Sequence, residues 1–323
     1  MIGSLEIENF KSIKGLRLDC RRINIFIGEP NTGKSNILEA LGLFSHGAYG
    51  GYIGDFVRLE NMSNLFYDEN LDESVRIKVD SMIFEMVFKD GKFKGICRED
   101  ERSVFSFEYD YKGHGTKSLF QKLLVLPFKF YRFVIGGKFP KKESDFLLPP
   151  FGENLLTILL THGDLKSLVS QIFNQFGLKL LFKPHENKIE VAKLYGDVLI
   201  SYPYFLASET LQRVVFYLAA ISTSRDSILV FEEPAAHAFP YYTKFLAERV
   251  ALDESNNQYF ISTHNPYFLL SVLEKSRRDE VLVHVTYFED YQTKVRTLDE
   301  EGMEKLMDFD VDVFFNIESL LGK

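Results

Sequence analysis

Hydrophobic and polar positions change period several times along the chain, and each change predicts a different element. Near the N-terminus Leu5 and Ile7 alternate with Glu6 and Glu8, as in a half-buried strand, and Leu16 and Leu18 suggest a second. Ile23-Asn24-Ile25-Phe26-Ile27 is nearly continuous apolar sequence and suits a buried strand. It stops at Gly28, and helical spacing follows from about Gly33 to Phe44. Between Ser74 and Tyr111 the period becomes two, through Val75, Ile77 and Val79, then Met82, Phe84, Met86 and Phe88, then Phe105, Phe107, Tyr109 and Tyr111. Asp90-Gly91 separates two of these runs as a hairpin turn would, and Gly113 and Gly115 are expected to end the layer.

Helical spacing returns between Gly152 and Phe176, where Leu165, Leu168, Val169, Ile172, Phe173 and Phe176 fall on one face. The last third alternates helix and buried strand. A helix is expected from about Glu209 to Ser222, a strand from Ser227 to Phe231, a helix near Tyr241 to Leu252 and a strand from Gln258 to Ser262. The apolar run Val281 to Tyr287 follows. Strands alternating with helices predict an α/β fold on a mainly parallel sheet. The antiparallel layer reads as a lobe of the same domain, because no Pro/Gly/Ser linker sets it apart.

Composition narrows the class. The 323 residues are 46% hydrophobic and 26% charged, enough apolar material for a packed core. The longest stretch free of Asp, Glu, Lys and Arg, Ser255 to Leu273, contains three Asn, a Gln, a His and a Pro, which argues against a membrane span. No signal peptide is visible, and two cysteines without a CxxC exclude a disulfide scaffold and a thiolate zinc site, so a cytoplasmic setting is expected. A formal net charge of -8 gives no support for bulk, charge-driven binding of nucleic acid.

Candidate chemistry lies at the ends of three buried strands. Gly28-Glu29-Pro30-Asn31-Thr32-Gly33-Lys34-Ser35 fits G-x-x-x-x-G-K-[ST] between a strand and a helix. Its glycines let backbone N–H groups face phosphate oxygens, Lys34 supplies a cation to the β- and γ-phosphates, and Ser35 offers a hydroxyl to Mg2+. The helix N-terminus adds its dipole. Ser227 to Phe231 runs into Glu232-Glu233-Pro234, two acids for which stability offers little reason. In a nucleotide site Glu232 would hold Mg2+ and Glu233 would polarise the attacking water, whereas a solvated strand end would leave them as surface acids. Ser262-Thr263-His264-Asn265-Pro266 follows the next strand and places His264 31 residues beyond Glu233 (264 minus 233).

Together these segments resemble the ATP-binding-cassette ATPases, in the soluble branch that includes SMC, RecF and the OLD-type defence ATPases. Leu5-Glu6-Ile7-Glu8-Asn9-Phe10-Lys11-Ser12-Ile13 resembles its IxNFKSI opening, and Gly33 to Leu41 its GKSNILEAL phosphate loop and helix. Glu232 to Pro240 resembles EEPEAHLHP, Ser262 to Pro266 resembles STHSP, and Gly152-Glu153-Asn154-Leu155 resembles a GxNL element of the OLD-like subset. The resemblance implies a P-loop NTPase fold, an ABC-ATPase head in which residues 1–323 form one composite unit. The phosphate-loop and β-meander lobe would span about 1–145, a helical and second-acidic-motif lobe about 146–300, and an acidic C-terminal segment 300–323. It also implies ATP and Mg2+ as cofactors, hydrolysis catalysed by Glu233, His264 and Lys34, and nucleotide contacts from Lys11 and from Gly28 through Asn36. Metal would be held by Ser35 and Glu232. Such heads pair around two ATP molecules, which implies a homodimer in which the signature segment of one copy meets the γ-phosphate held by the other. That segment departs from the family's L-S-x-G-x-x-Q-R. Here Leu206-Ala207-Ser208-Glu209-Thr210-Leu211-Gln212-Arg213 lacks the glycine, so Ser208, Glu209 and Thr210 would occupy the trans position with a carboxylate facing an anion. DNA maintenance or anti-phage defence is the setting implied; a nucleotide-gated module that switches a partner effector with negligible hydrolysis is the other.

One region is unlike the rest in charge. Residues 112–142 carry Lys112, Lys117, Lys122, Lys129, Arg132, Lys138, Lys141 and Lys142 and no acid, interleaved with Phe120, Phe128, Phe130, Tyr131, Phe133 and Phe139. Either this is a surface for nucleic acid or an acidic partner, or a lobe with core aromatics and a solvated basic face. The acidic tail, with Phe309, Phe314 and Phe315 beside Asp308, Asp310 and Asp312, reads as an exposed or docking segment.

Overall fold

A computed structural model describes residues 1–120 and 127–322. Its strands in chain order are β1 Ser4–Phe10, β2 Ile13–Asp19, β3 Ile23–Gly28, β4 Val75–Val79, β5 Met82–Lys89, β6 Lys92–Glu99, β7 Arg102–Tyr109 and β8 Gly115–Leu119. They continue with β9 Phe128–Tyr131, β10 Lys179–Lys183, β11 Lys188–Tyr195, β12 Val198–Pro203, β13 Ile228–Glu232, β14 Gln258–Ser262, β15 Val281–Glu289 and β16 Gln292–Thr297. The helices are α1 Lys34–Tyr49, α2 Leu155–Thr161, α3 Gly163–Asn174, α4 Glu209–Thr223, α5 Pro240–Ala251, α6 Pro266–Lys275, α7 Glu300–Phe309 and α8 Ile317–Leu320.

The central sheet has the order β16-β15-β3-β14-β13-β9. β9, β13, β14, β3 and β15 run parallel, and β16 returns antiparallel from β15. The apolar runs are continuous because both faces of this sheet are covered. Ile23, Ile25, Ile27, Leu229, Phe231, Tyr259 and Ile261 point into a core shared with the C-terminal helices. Phe26, Phe128, Phe130, Ile228, Val230 and Phe260 point into a second core, closed by α1 and the antiparallel lobe. The α/β expectation, with a mainly parallel sheet plus an antiparallel β lobe, therefore holds.

That lobe is a seven-stranded sheet, β2-β1-β4-β5-β6-β7-β8. Asp90 and Gly91 adopt φ 55° and 74° between β5 and β6, the left-handed pair that a two-residue hairpin requires. Two expectations need correcting. Gly115 does not end the lobe: after a turn at Gly113, with φ 76°, it opens β8, which pairs with β7. A third sheet, β10-β11-β12, was not anticipated. Its strands carry apolar residues on both faces at their outer end, so no period of two stood out. The helical stretch from Gly152 to Phe176 is α2 and α3, broken at His162. The acidic tail docks: Leu306, Val313, Ile317 and Leu320 are buried against the helical core. No helix among the described residues is long and apolar enough to cross a membrane.

Candidate functional site

Parallel strands bring their carboxyl ends to one edge of the sheet, which is where such folds place ligands. β3 ends at Gly28, β13 at Glu232, β14 at Ser262 and β9 at Tyr131, with Glu232 registered against Ser262 and Phe231 against Tyr131. The segments singled out from the sequence therefore converge.

The phosphate loop crosses from β3 to α1 pressed against the β15–β16 hairpin. A side chain at Gly28, where φ is 150°, would come within 2.3 Å of Thr286 Oγ1. At Gly33, where φ is 93°, it would come within 2.0 Å of Thr293 Oγ1. Both positions require glycine for space as well as for conformation. Thr32 Oγ1 donates to the Glu29 carbonyl at 2.8 Å and lies 2.6 Å from Thr286 Oγ1. Asn36 Nδ2 donates to Ser12 Oγ at 2.6 Å, joining the first turn of α1 to the β1–β2 turn. Glu29, Pro30 and Asn31 are exposed along the loop. Lys34 folds over it and donates to the carbonyls of Gly28 at 2.8 Å and Glu29 at 2.7 Å. Burial lowers its pKa to about 8, against the pull of Glu233 and Glu29. No acid stands in the first turn of α1, so the helix N-terminus is free to take an anion. A cation hydrogen-bonded to loop carbonyls, beside glycines that admit no side chain, fits a phosphate chain.

Glu233 follows directly on Glu232 but turns away from the strand with φ 46°, a conformation few non-glycine residues hold. Its N–H donates to the Ser262 carbonyl at 3.1 Å. Its carboxylate accepts the His264 N–H at 3.2 Å and lies 3.6 Å from His264 Nε2. Burial raises the Glu233 pKa to about 7, Glu232 adds to the rise, and the His264 N–H and Lys34 oppose it. Burial and the Lys34 charge lower the His264 pKa, which favours the neutral ring. The 31-residue spacing is thus the length of one parallel crossover that sets acid beside histidine.

The sequence reading missed a buried charge network beneath this edge. Glu39, on the second turn of α1 and 1% exposed, pairs with Lys11, with Arg58 Nε at 2.7 Å and with Arg132 at 3.2 Å. Arg58 and Arg132 also face Glu232, at 3.3 and 3.8 Å. Lys11, expected near the nucleotide, donates to Glu39 and to the Arg58 carbonyl at 2.6 Å. A carboxylate inside Ile37-Leu38-Glu39-Ala40-Leu41 was the available signal for the network. Arg132 was concealed in the basic run, and nothing local marked Arg58. Were Mg2+ to bind, Ser35 and Glu232 would offer the hard oxygen ligands the ion prefers; Glu232 also faces the two guanidinium groups. No group of three His, Cys, Asp or Glu able to hold a metal occurs among the described residues, so a divalent ion here would take its remaining ligands from phosphate oxygens and water.

The signature residues lie at the start of α4. Ser208 is the residue before the helix, Thr210 Oγ1 donates to the His237 carbonyl at 3.0 Å, and Glu209 pairs with Arg213 at 2.7 Å. Arg213 in turn donates to the Glu233 carbonyl at 3.3 Å, so the Glu209 charge is tied to the end of β13.

The structure divides the basic segment. Lys117 donates to the His46 and Gly47 carbonyls at 2.8 Å, and Lys129 is buried with its ammonium 3.9 Å from the Phe146 ring centre. Arg132 belongs to the Glu39 network, and Lys122 lies outside the described residues. Phe128, Phe130, Tyr131 and Phe139 are core. Among the described residues of the segment Lys112, Lys138, Lys141 and Lys142 stay on the surface, so the reading as core aromatics with a solvated face fits better than a continuous basic platform.

Two family models match the chain: an AAA ATPase domain over residues 1–124, and an AAA domain described as putative AbiEii toxin, Type IV TA system, over residues 164–271. Among solved structures, an SMC head bound to the C-terminal winged-helix domain of ScpA is 18% identical at a TM-score of 0.55, covering 94% of this chain and 99% of that one. A Pyrococcus furiosus SMC head with an extended coiled coil, bound to the C-terminal domain of ScpA, is 15% identical at a TM-score of 0.55, covering 95% and 98%. No curated protein matches the chain. At these identities the structures establish a shared P-loop NTPase head fold.

Removing Glu39 would leave the part-buried Lys11 without a counter-charge and Arg58 and Arg132 with Glu232 alone. Glu39→Ala is expected to cost about 3–5 kcal/mol, read as a fall in the urea midpoint at unchanged slope. A loss below about 1 kcal/mol would mean that the network is no more than a surface pairing.

Proposed function

We infer that this chain, two segments of which match AAA ATPase domain models and whose fold is shared with SMC heads, binds Mg·ATP at the Gly28–Ser35 loop and hydrolyses it slowly, at sites completed by a second copy. The observation that carries hydrolysis is the Glu233 carboxylate, held by the His264 N–H and poised near pH 7 within the field of Lys34. A general base serves best when its pKa lies near the working pH. Lys34 exchanges its loop carbonyls for phosphate oxygens, and Glu233 takes a proton from the attacking water. His264, neutral and adjacent, orients that water by hydrogen bonding. Bound Mg2+, on Ser35 and Glu232, would supply charge neutralisation on the transferred phosphoryl group. Positioning and charge stabilisation supply most of the acceleration in phosphoryl transfer.

The second copy would bring Ser208, Glu209 and Thr210 to the γ-phosphate. A carboxylate at that position weakens pairing, which supports slow turnover. It also supports a second reading, a nucleotide-gated module with negligible hydrolysis that switches a partner effector. The solved SMC heads are bound to domains of ScpA, and a partner protein is proposed here on that likeness alone. DNA maintenance or defence against phage, in the cytoplasm, is the setting the family suggests, with Lys138, Lys141 and Lys142 as the remaining basic surface.

Steady-state phosphate release separates the two readings. Glu233→Gln is expected to lower kcat by at least about 100-fold while nucleotide binding persists. Equal, near-zero rates for both proteins would leave the switch. For the active enzyme the sign of the pH dependence is fixed: Glu233 works only when ionised, so kcat/KM, which reports the free enzyme, should fall as pH drops through about 7. A flat profile between pH 6 and pH 8 would remove Glu233 from the base role. Glu209→Gly should restore close backbone approach and raise kcat; an unchanged rate in a folded variant would show that Glu209 does not limit pairing.

A further inference from the structure

Helix α4 opens with the signature segment, and one of its faces is spent on the loop that follows β13. Thr210, Arg213 and Tyr217 are three and four residues apart, so they stand on one side of the helix. Each gives a side-chain donor to a main-chain carbonyl of that loop. Tyr217 Oη donates to the Glu232 carbonyl at 3.2 Å, Arg213 Nη1 to the Glu233 carbonyl at 3.3 Å and Thr210 Oγ1 to the His237 carbonyl at 3.0 Å. Two of these three carbonyls belong to left-handed residues, Glu233 at φ 46° and His237 at φ 57°. Residues other than glycine persist in that conformation where their surroundings over-determine it. At Glu233 the N–H is tied to the Ser262 carbonyl and the carbonyl to the Ala236 N–H, both at 3.1 Å, and Arg213 adds a further tie.

The two donors nearest the base are themselves fixed. Tyr217 is fully buried, its ring edge-on to Phe231 at 4.9 Å between centres. Arg213 has its guanidinium carbon 4.5 Å from the Phe133 ring centre and its Nη2 on Glu209 at 2.7 Å. Its Nε is buried with no hydrogen-bond partner among the described residues. An arginine that served only as a surface ion pair would avoid that cost by turning to water.

We propose that Arg213 and Tyr217 are positioning residues for Glu233: from α4 they hold the carbonyls of Glu232 and Glu233, so that the backbone turns left-handed and delivers the Glu233 carboxylate to the His264 N–H. An extended Glu233 would simply continue β13 and its alternation of faces. The left-handed turn instead sets the carboxylate 3.2 Å from that N–H. A misplacement of about 1 Å can cost about 100-fold in rate, so bonds remote from the nucleotide are able to set it.

This inference rests on the reading of Glu233 as the base, and two readouts keep the two apart. The first needs no nucleotide. The chain has seven histidines, so 15N-histidine labelling gives a sparse amide spectrum, in which the His264 signal is the one lost in His264→Gln. Glu233→Ala marks where that signal moves once the carboxylate is gone. Arg213→Met keeps the stem over Phe133 and removes the donor. It is expected to move the His264 signal toward the Glu233→Ala position with the remaining histidine signals in place, and Arg213→Lys is expected to return it part of the way. Tyr217→Phe is expected to move it in the same direction by less. The second readout is phosphate release, where Arg213→Met should lower kcat about 10–100-fold with KM for ATP held within about 2-fold. A His264 signal that keeps its wild-type place in both Arg213→Met and Tyr217→Phe overturns the inference. If every histidine signal moves in Arg213→Met, the fold has been lost, and Tyr217→Phe, which keeps the buried ring, decides alone. A wild type that releases no phosphate would end the base reading, and the His264 signal would still decide the positioning.

Discussion

Glu39 is the charge on which the site edge depends. It sits on the phosphate-loop helix, nearly sealed from solvent, and gathers Lys11 from the β1–β2 turn, Arg58 from the loop after α1 and Arg132 from the end of β9. A carboxylate in that position is costly unless paired, and the part-buried Lys11 and Arg132 are costly to leave without it, while Arg58 closes the cluster from the surface. Each therefore enforces the other. Because Arg58 and Arg132 also reach Glu232, the helix that would cradle phosphate and the strand end that would meet metal are held in one electrostatic unit. A divalent ion at Glu232 would compete with two guanidinium groups, to which the phosphates of a bound nucleotide would offer a new partner.

The rest of the edge is organised by backbone constraint. Gly28 and Gly33 leave no room for side chains against Thr286 and Thr293, so the loop is clamped between its own helix and the β15–β16 hairpin. Glu233 is forced out of the strand conformation, and that turn brings its carboxylate to the His264 N–H. Burial does the remaining chemical work, raising Glu233 and lowering Lys34 toward neutrality from opposite sides.

Much of this was legible in the sequence where it depended on local rules. The apolar runs at Ile23–Ile27, Ser227–Phe231 and Gln258–Ser262 are strands because continuous hydrophobicity needs two covered faces, and their parallel register places the phosphate loop, Glu232, Glu233 and His264 at one edge. What escaped depended on long-range pairing. Glu39 reads as a helix residue until Arg58 and Arg132 are brought to it. The pairing of Lys11 with Glu39 was likewise not visible from its place in the sequence. Lys117, Lys129 and Arg132 read as one basic run, yet the chain sends them to a helix end, an aromatic face and the charge network. The β10–β12 sheet escaped because its outer hairpin is apolar on both faces and obeys no burial period.

The central claim is that this edge takes Mg·ATP through Lys34 on the loop and Glu232 at the strand end. Calorimetric titration of ATP into the nucleotide-free protein, with and without Mg2+, tests it most directly. The account predicts one ATP per chain, tighter binding with Mg2+, and loss of that Mg2+ dependence in Glu232→Gln. Binding equally tight with and without Mg2+ in the wild type, or no binding up to about 1 mM, would contradict it.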